Sequence, residues 1–391
     1  MACLSPIAVG AGSTSATVPS VANTLVLAND TLIRGNVLIS NAGVSTPNPL
    51  GMAFDTSNGD LYVTMANSNS VVVINGATSL ITDNITVGYN PLGVVYDPSN
   101  GFLYVVNGLD DRVSVINGAT NKVVANITVG PNPTSAAYDS WNGKVFVAQY
   151  SPGGITSKVI EVDTTTNTIV NSVTIPGEAI ITSGLAFDPA NGKIYAASYS
   201  ASKGGISVLD GTTDSIVGEV TGLKVPSGVA FDSANGCLYV SEGTSMVAVI
   251  NATTNTLVAH VSIAGGPSGL GYDSVNGYIY VADTSNSVSV IDGGSNTVIQ
   301  NFSVGNAPKD VAFDSQGTRL FVSNSGTISI IPLSQGVPSA TNFIVLASAA
   351  VTVASVLSFA LWKRHGSSDT GKASPTNQEA SNRRSKLNPV S

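Results

Sequence analysis

Across residues 45–333 the chain sets apolar against polar side chains in short bursts, separated by Gly, Asn, Asp and Pro. SVVVIN (Ser70 to Asn75), RVSVIN (Arg112 to Asn117) and SVSVID (Ser287 to Asp292) alternate with a period of two. That period predicts half-buried strands rather than helices. Longer apolar runs of the LYV kind stand between these stretches, each preceded by a D-x-x-N-G turn signal except the last, where Gln316-Gly317 is the variant. The Asp carboxylate accepts backbone N–H groups in such a turn, and the Gly supplies the positive φ that closes it.

One unit repeats seven times. PLGMAFDTSNGDLYV (Pro49 to Val63) returns as PLGVVYDPSNGFLYV (Pro91 to Val105), PTSAAYDSWNGKVFV (Pro133 to Val147) and SGLAFDPANGKIYA (Ser183 to Ala196). It continues as PSGVAFDSANGCLYV (Pro226 to Val240), PSGLGYDSVNGYIYV (Pro267 to Val281) and PKDVAFDSQGTRLFV (Pro308 to Val322). The anchoring acids are Asp55, Asp97, Asp139, Asp188, Asp232, Asp273 and Asp314, spaced by 42, 42, 49, 44, 41 and 41 residues. Their regular place before the turn makes them structural turn caps rather than an acidic binding ring.

Four short strands per unit at this period predict an all-β, seven-bladed β-propeller of four-stranded antiparallel blades. A linear solenoid competes, but the two ends complement each other. The seventh unit stops after three strands at SGTISIIPLSQG (Ser325 to Gly336), and TLVLANDTLIRGNVLISN (Thr24 to Asn41) carries the register of the missing fourth. An N-terminal strand that closes the last blade removes two free sheet edges.

The strings LYVTM, LYVVN, LYVSE and IYVAD, each followed by a run of the SVxVIN kind, resemble the repeat of the YVTN β-propeller family. Such repeats occur in prokaryotic, notably archaeal, surface-layer and cell-surface proteins, and the likeness implies that architecture. It implies little about activity, since the scaffold also resembles that of streptogramin lyases and quinoprotein dehydrogenases. In the family repeat an Asn follows the second strand. Here that slot holds Met65, Asn107, Gln149, Ser198, Glu242, Asp283 and Asn324, so two match.

Composition adds a membrane to the picture. The 391 residues are 43% apolar and 10% charged, against roughly 25% charged in ordinary soluble domains. With 16 basic and 24 acidic groups and no basic cluster before the C-terminus, no nucleic-acid partner is expected. Residues 363–391 hold six basic and two acidic groups, leaving 10 basic and 22 acidic groups in residues 1–362. Between body and tail, residues 343–362 (FIVLASAAVTVASVLSFALW) are uncharged and end on Trp362 before Lys363 and Arg364. Twenty helical residues span about 30 Å, the thickness of a bilayer core. The expected order is a flexible leader (1–23), the propeller (24–335), a short linker (336–342), a transmembrane helix (343–362) and a basic cytoplasmic tail (363–391). By the positive-inside rule the propeller faces outward. The leader MACLSPIAVGAGSTSATVPS lacks the charged start and apolar centre of a secretory signal. A start codon placed downstream of the true signal, a weak signal, and a tail-anchored cytosolic propeller all stay open; the first is adopted.

Candidate chemistry is sparse. Five N-x-S/T sequons, at Asn29, Asn84, Asn126, Asn251 and Asn301, are candidate N-glycosylation sites, three of them in predicted outermost strands. Cys3 and Cys237 make no disulfide scaffold and are read as free thiols. His260 is the one histidine of the propeller and is read as an exposed or packing residue on an outer strand. No metal, cofactor or catalytic constellation stands in a suitable context. The 49-residue spacing between Asp139 and Asp188 holds two insertions, residues 149–157 and 176–183, and the next unit lengthens residues 198–205. All three open on one face, where loops on a rigid scaffold carry binding function. Tyr150, Glu178 and Tyr199 are therefore the candidate contact residues. The expected role is a cell-surface binding, adhesion or envelope-structural module that meets an envelope protein or glycan. An extracytoplasmic enzyme of the streptogramin-lyase kind, acting on a small molecule, is the competing reading.

Overall fold

A computed structural model of the chain describes residues 35–38, 47–150, 157–175, 180–200, 203–314 and 316–333. They form seven four-stranded antiparallel sheets, the blades of a β-propeller. Six blades pair their strands in chain order. The seventh runs Gly35–Leu38, Thr327–Pro332, Arg319–Asn324 and Asp310–Phe313, so its outermost strand comes from the far end of the sequence. The clasp pairs Gly35 with Ile330 through Leu38 with Thr327. Ser329 Oγ also donates to Asn36 Oδ1 at 2.7 Å. Of the segment 24–41 expected to close the ring, these four residues are the described part.

The middle strands depart from the half-buried reading. In the third strand of blade 1, Val71, Val72, Val73 and Ile74 are all fully buried, whichever side they face. Both sheet faces pack against neighbouring blades, so both need apolar side chains. The alternation survives because the polar members, such as Ser114 and Ser289, are buried at hydrogen-bonded positions.

Seven apolar seams follow, one between each pair of neighbours. Tyr104, Val106 and Val115 of blade 2 meet Val145, Val147 and Ile160 of blade 3. The ring-closing seam is built alike, from Met52, Leu61 and Val72 of blade 1 against Ala312, Phe321 and Ile328 of blade 7. The anchor turns set each hairpin between first and second strands, with Gly59 and its counterpart Gly101 at φ of 78° and 75°, where a side chain is strained.

The fourth strands carry a feature that the sequence did not announce. In blades 1 to 6 the register between third and fourth strands shifts by one, leaving Thr82, Val124, Val170, Val217, Val258 and Ile299 as the extra residues. A bulge twists an exposed edge away from flat pairing with another chain. Exposed apolar side chains such as Val124 and Val170, both 51% exposed, thereby sit on the outer edge without offering a regular ladder.

Cys237 corrects the free-thiol expectation: it is disulfide-bonded and fully buried at the start of the second strand of blade 5. The sequence's other cysteine, Cys3, lies outside the described residues. Among the described residues no helix is long and apolar enough to cross a membrane, and segment 343–362 falls outside them.

Removing residues 24–41 should lower the melting temperature by roughly 5 °C or more, since it strips an edge pairing and the Val37 contact from one seam. An unchanged melting curve contradicts the clasp.

Candidate functional site

The loops between second and third strands and the blade-to-blade connections emerge on one face. At the root of those loops the second strands of six blades end in, or run directly into, a buried side chain (Met65, Asn107, Gln149, Glu242, Asp283 and Asn324), and blade 4 has buried Ser198 one place before its end. In blade 2 Asn107 Nδ2 donates to Ser114 Oγ at 3.0 Å, and Ser114 donates to Asn126 Oδ1 at 2.8 Å. Blade 7 repeats the ladder with Asn324, Ser329 and Asn36. In blade 6, Ser289 Oγ lies 3.0 Å from Asp283 Oδ2 and 2.8 Å from Asn301 Oδ1. These ladders partner the serine hydroxyls and the amide N–H groups of Asn107 and Asn324, which burial would otherwise penalise.

Blade 5 breaks the ladder, because Ala248 stands where the hydroxyl is needed. The longer Glu242 side chain crosses the gap. Its Oε2 lies 3.0 Å from His260 Nε2, and its Oε1 accepts the Lys224 N–H at 2.7 Å. Glu242 is 2% exposed and His260 37%, so a buried carboxylate orients a ring that reaches solvent from the outer strand. Among the described residues no group of three or more His, Cys, Asp or Glu is placed to hold a metal ion.

The ladders also place the sequons. Asn126 and Asn301 are exposed in fourth strands, yet their amide oxygens anchor buried serines. Asn84 is exposed opposite Val72. Asn251 Oδ1 accepts the N–H groups of Thr253 and Thr254, both at 3.0 Å, in the turn that follows. Asn29 lies outside the described residues.

The anchor acids occupy the opposite face. Asp55, Asp97, Asp139, Asp188, Asp232 and Asp273 each accept, through Oδ1, the N–H two residues on at 2.7–2.9 Å. Asp314 instead accepts the Thr318 N–H and pairs with Arg319 Nε at 3.0 Å. Burial pushes the carboxyls of Asp188, Asp232 and Asp273 above the usual carboxylate range.

Near the axis the first strands come together closely, and glycine permits it. A Cβ on Gly51 would stand 2.5 Å from Leu92 O, and one on Gly228 would stand 2.6 Å from Ser268 O. In blade 7 this position is Asp310. Its Oδ2 accepts the Met52 N–H at 3.2 Å across the ring-closing seam, where Ser323 Oγ also donates to Leu50 O at 2.8 Å. Burial pushes the Asp310 carboxyl up to about 6, against the partial relief of the Val311 and Met52 N–H groups.

The loop-bearing face is unequal around its circumference. Blade 2 presents Tyr89 and Leu109, 62% and 68% exposed and joined by a Leu109 N–H to Tyr89 O bond of 3.2 Å. Blade 3 adds Tyr150, half-buried, whose N–H bonds Asn132 O at 3.1 Å. Blade 4 adds Tyr199, half-buried at the end of its second strand. Val225 of blade 5 is 49% exposed. In blades 6 and 7 the corresponding stretches are Gly266, Thr284, Ser285, Asn306 and Ser325. The fold therefore gathers Tyr150 and Tyr199 on adjacent blades of one face. Glu178, with residues 151–156, 176–179 and 201–202, lies outside the described residues. Sequence reasoning missed Tyr89 and Leu109, because it searched for lengthened loops and theirs are of ordinary length.

The chain matches no protein-family model and no curated protein. Its fold is similar to a solved chain of Kuenenia stuttgartiensis hydrazine synthase, at 16% identity and a TM-score of 0.67, over 75% of this chain and 97% of that one. The likeness is one of fold.

Asp310→Asn should stabilise the protein at pH 7–8 by about 1–3 kcal/mol. A raised native pKa means that the group's contribution is full below 3.8 and lost as the pH rises through about 6. The variant's advantage should therefore vanish below pH 4 in thermal melts followed across pH 3.5–8.

Proposed function

We propose that this chain is a membrane-anchored cell-surface β-propeller that binds a cell-envelope protein or glycan through its loop-bearing face and does no chemistry there. One observation carries the reading: large apolar and aromatic side chains crowd blades 2 to 5 of that face, while blades 6 and 7 offer small polar ones. Tyrosine supplies wide contact with a polar tip and few rotatable bonds, which suits recognition. The uncharged segment 343–362 and the basic residues after it support the anchor and the outward orientation. The sequon residues Asn84, Asn126 and Asn301 lie on the outer strands, where a glycan projects into solvent. The repeat residues support the YVTN-like, surface-protein reading.

A second reading is an extracytoplasmic enzyme acting on a small molecule. It draws on the likeness to a chain named for hydrazine synthase and on the Glu242–His260 pair, an arrangement suited to proton transfer. It ranks second because the His260 ring of that pair stands on an outer strand, away from the axis.

The Tyr150→Ala/Tyr199→Ala double variant should lose at least about tenfold in binding of the ectodomain face to cell-envelope fractions, a loss of roughly 1.4 kcal/mol. Undiminished capture removes the binding face from those residues. Protease treatment of intact cells should digest the propeller, and a protected propeller overturns the outward orientation.

A further inference from the structure

The described chain leaves the propeller on the side of the anchor turns. Strand Thr327–Pro332 is the third of blade 7, and its last residue pairs with Arg319, beside the Asp314 turn. The Leu333 N–H then donates to Thr318 O at 2.6 Å within that turn. Nine residues, 334–342, separate Leu333 from the uncharged segment 343–362, a reach of about 30 Å when fully extended. The blade itself is about 20 Å tall, since its third strand has six residues. A tether that starts on the anchor side would use most of its reach in passing the rim if the loop-bearing face were to meet a bilayer. With the anchor side toward the bilayer it needs only a fraction of that length.

That side also differs from the loop-bearing one in its chemistry. The two residues at the tip of every anchor turn are uncharged, from Thr56-Ser57 in blade 1 to Ser315-Gln316 in blade 7. Of the turns between third and fourth strands on the same side, that of blade 4 alone holds a charged residue, Asp214. Asp163, Asp210 and Asp292, which end third strands, turn back to accept backbone N–H groups of their own turns. The loop-bearing face instead exposes Asp111, Arg112, Lys203 and Lys224 among its apolar side chains. Apolar groups project from the uncharged side. Trp141 and Val275, 54% and 56% exposed, hold the tip position that is Ser57, Ser99, Ala190 and Ala234 in other blades. The Trp141 ring is held in place: it meets the Phe187 ring edge-on at 6.5 Å, and a Cβ on Gly192 would stand 2.8 Å from it. Leu80, 64% exposed, lies in the neighbouring turn of blade 1, and Val170 and Val217 stand near the start of outer strands.

We infer that the anchor-turn side of the propeller rests on a neutral phospholipid surface, with Trp141 and Val275 entering the headgroup layer and the loop-bearing face turned away. The inference rests on the membrane-anchored reading and deepens it by naming the face that meets lipid. Indole suits that depth, because its apolar body enters the acyl boundary while its N–H stays among polar headgroups. Uncharged turn tips suit it too, since a charge pressed against lipid loses hydration without gaining a partner. The surface is neutral rather than anionic because residues 1–362 carry 22 acidic groups against 10 basic ones. Lipid is the occupant rather than a second copy of the chain, because the short tether keeps a bilayer beside this side at all times.

The sequence holds two tryptophans, Trp141 and Trp362, so each can be read alone. The full chain is reconstituted in phosphatidylcholine vesicles, with and without lipids brominated near the headgroup end of the acyl chains. In the Trp362→Phe chain, the emission of Trp141 should lie at shorter wavelength than in detergent and fall about twofold or more with brominated lipid. In the Trp141→Phe chain, quenching of Trp362 reports on segment 343–362 by itself. A quenched Trp362 with an unquenched Trp141 overturns the docking and leaves the anchor standing. An unquenched Trp362 removes the anchor, and the docking with it. The Trp141→Phe/Trp362→Phe/Tyr89→Trp chain carries its one indole on the loop-bearing face and should escape quenching; quenching there equal to that of Trp141 overturns the orientation. A shift of Trp141 to shorter wavelength without bromine quenching identifies self-association of this side and overturns lipid as its occupant.

Discussion

Ring closure is the constraint on which this structure depends. A four-stranded blade cannot cover both of its apolar faces, and it does so only by lying between two others. Seven blades therefore need seven seams, and the last must join residues from opposite ends of the propeller. The first and seventh blades meet through Met52, Leu61 and Val72 against Ala312, Phe321 and Ile328, a contact of the same composition as the internal seams. The polar ties there, Asp310 to Met52 and Ser323 to Leu50, bridge sequence separations of 258 and 273 residues. Closure of so long a loop costs entropy once, and seven apolar seams together offset it.

Within that constraint the polar groups are confined to a few arrangements. Most second strands end in a side chain held at the base of a loop, and several seams are tied by a tyrosine hydroxyl. The exceptions follow the same rule by other means. Glu242 reaches His260 because Ala248 cannot pass the hydrogen bond along. Asp310 accepts an N–H across the seam, and the close approach that glycine allows elsewhere is replaced by a hydrogen bond. Burial raises its pKa, so the bond is retained at an electrostatic cost.

Much of this architecture was legible in the sequence, for a physical reason. The turn that follows each anchoring Asp is local, so its residues lie together in the chain, and the seven anchors measure the blade count. The clasp was legible because the missing strand and its replacement share a pattern. Side-chain ties between blades were not. Tyr62 and Asn121 are 59 residues apart, and nothing in either local string records the other. The fourth-strand bulges were hidden as well, since one extra Val in KVVANIT reads as an ordinary alternating strand until its partner's register is known. The disulfide at Cys237 escaped because nothing in the local string CLYVS records a partner. On the candidate face, Tyr150 and Tyr199 were found through loop length, whereas Tyr89 and Leu109 required exposure to be seen.

A repeated scaffold gives function only where its symmetry is broken, because seven equal blades present seven equal and shallow surfaces. Several of the breaks fall together. Blades 3 and 4 hold the lengthened repeat spacing, Tyr150 and Tyr199 on one face, and the buried Lys144–Glu161 pair. Blades 6 and 7, by contrast, keep small polar loops and the regular ladders. Apolar seams tolerate changes of loop length, because a loop adds nothing to the buried surface between sheets. They do not tolerate a charge without a partner. Glu161, buried in the sheet, is accordingly paired with Lys144 of the neighbouring strand. Loop length and a buried charged pair thus depart from the repeat together in blades 3 and 4.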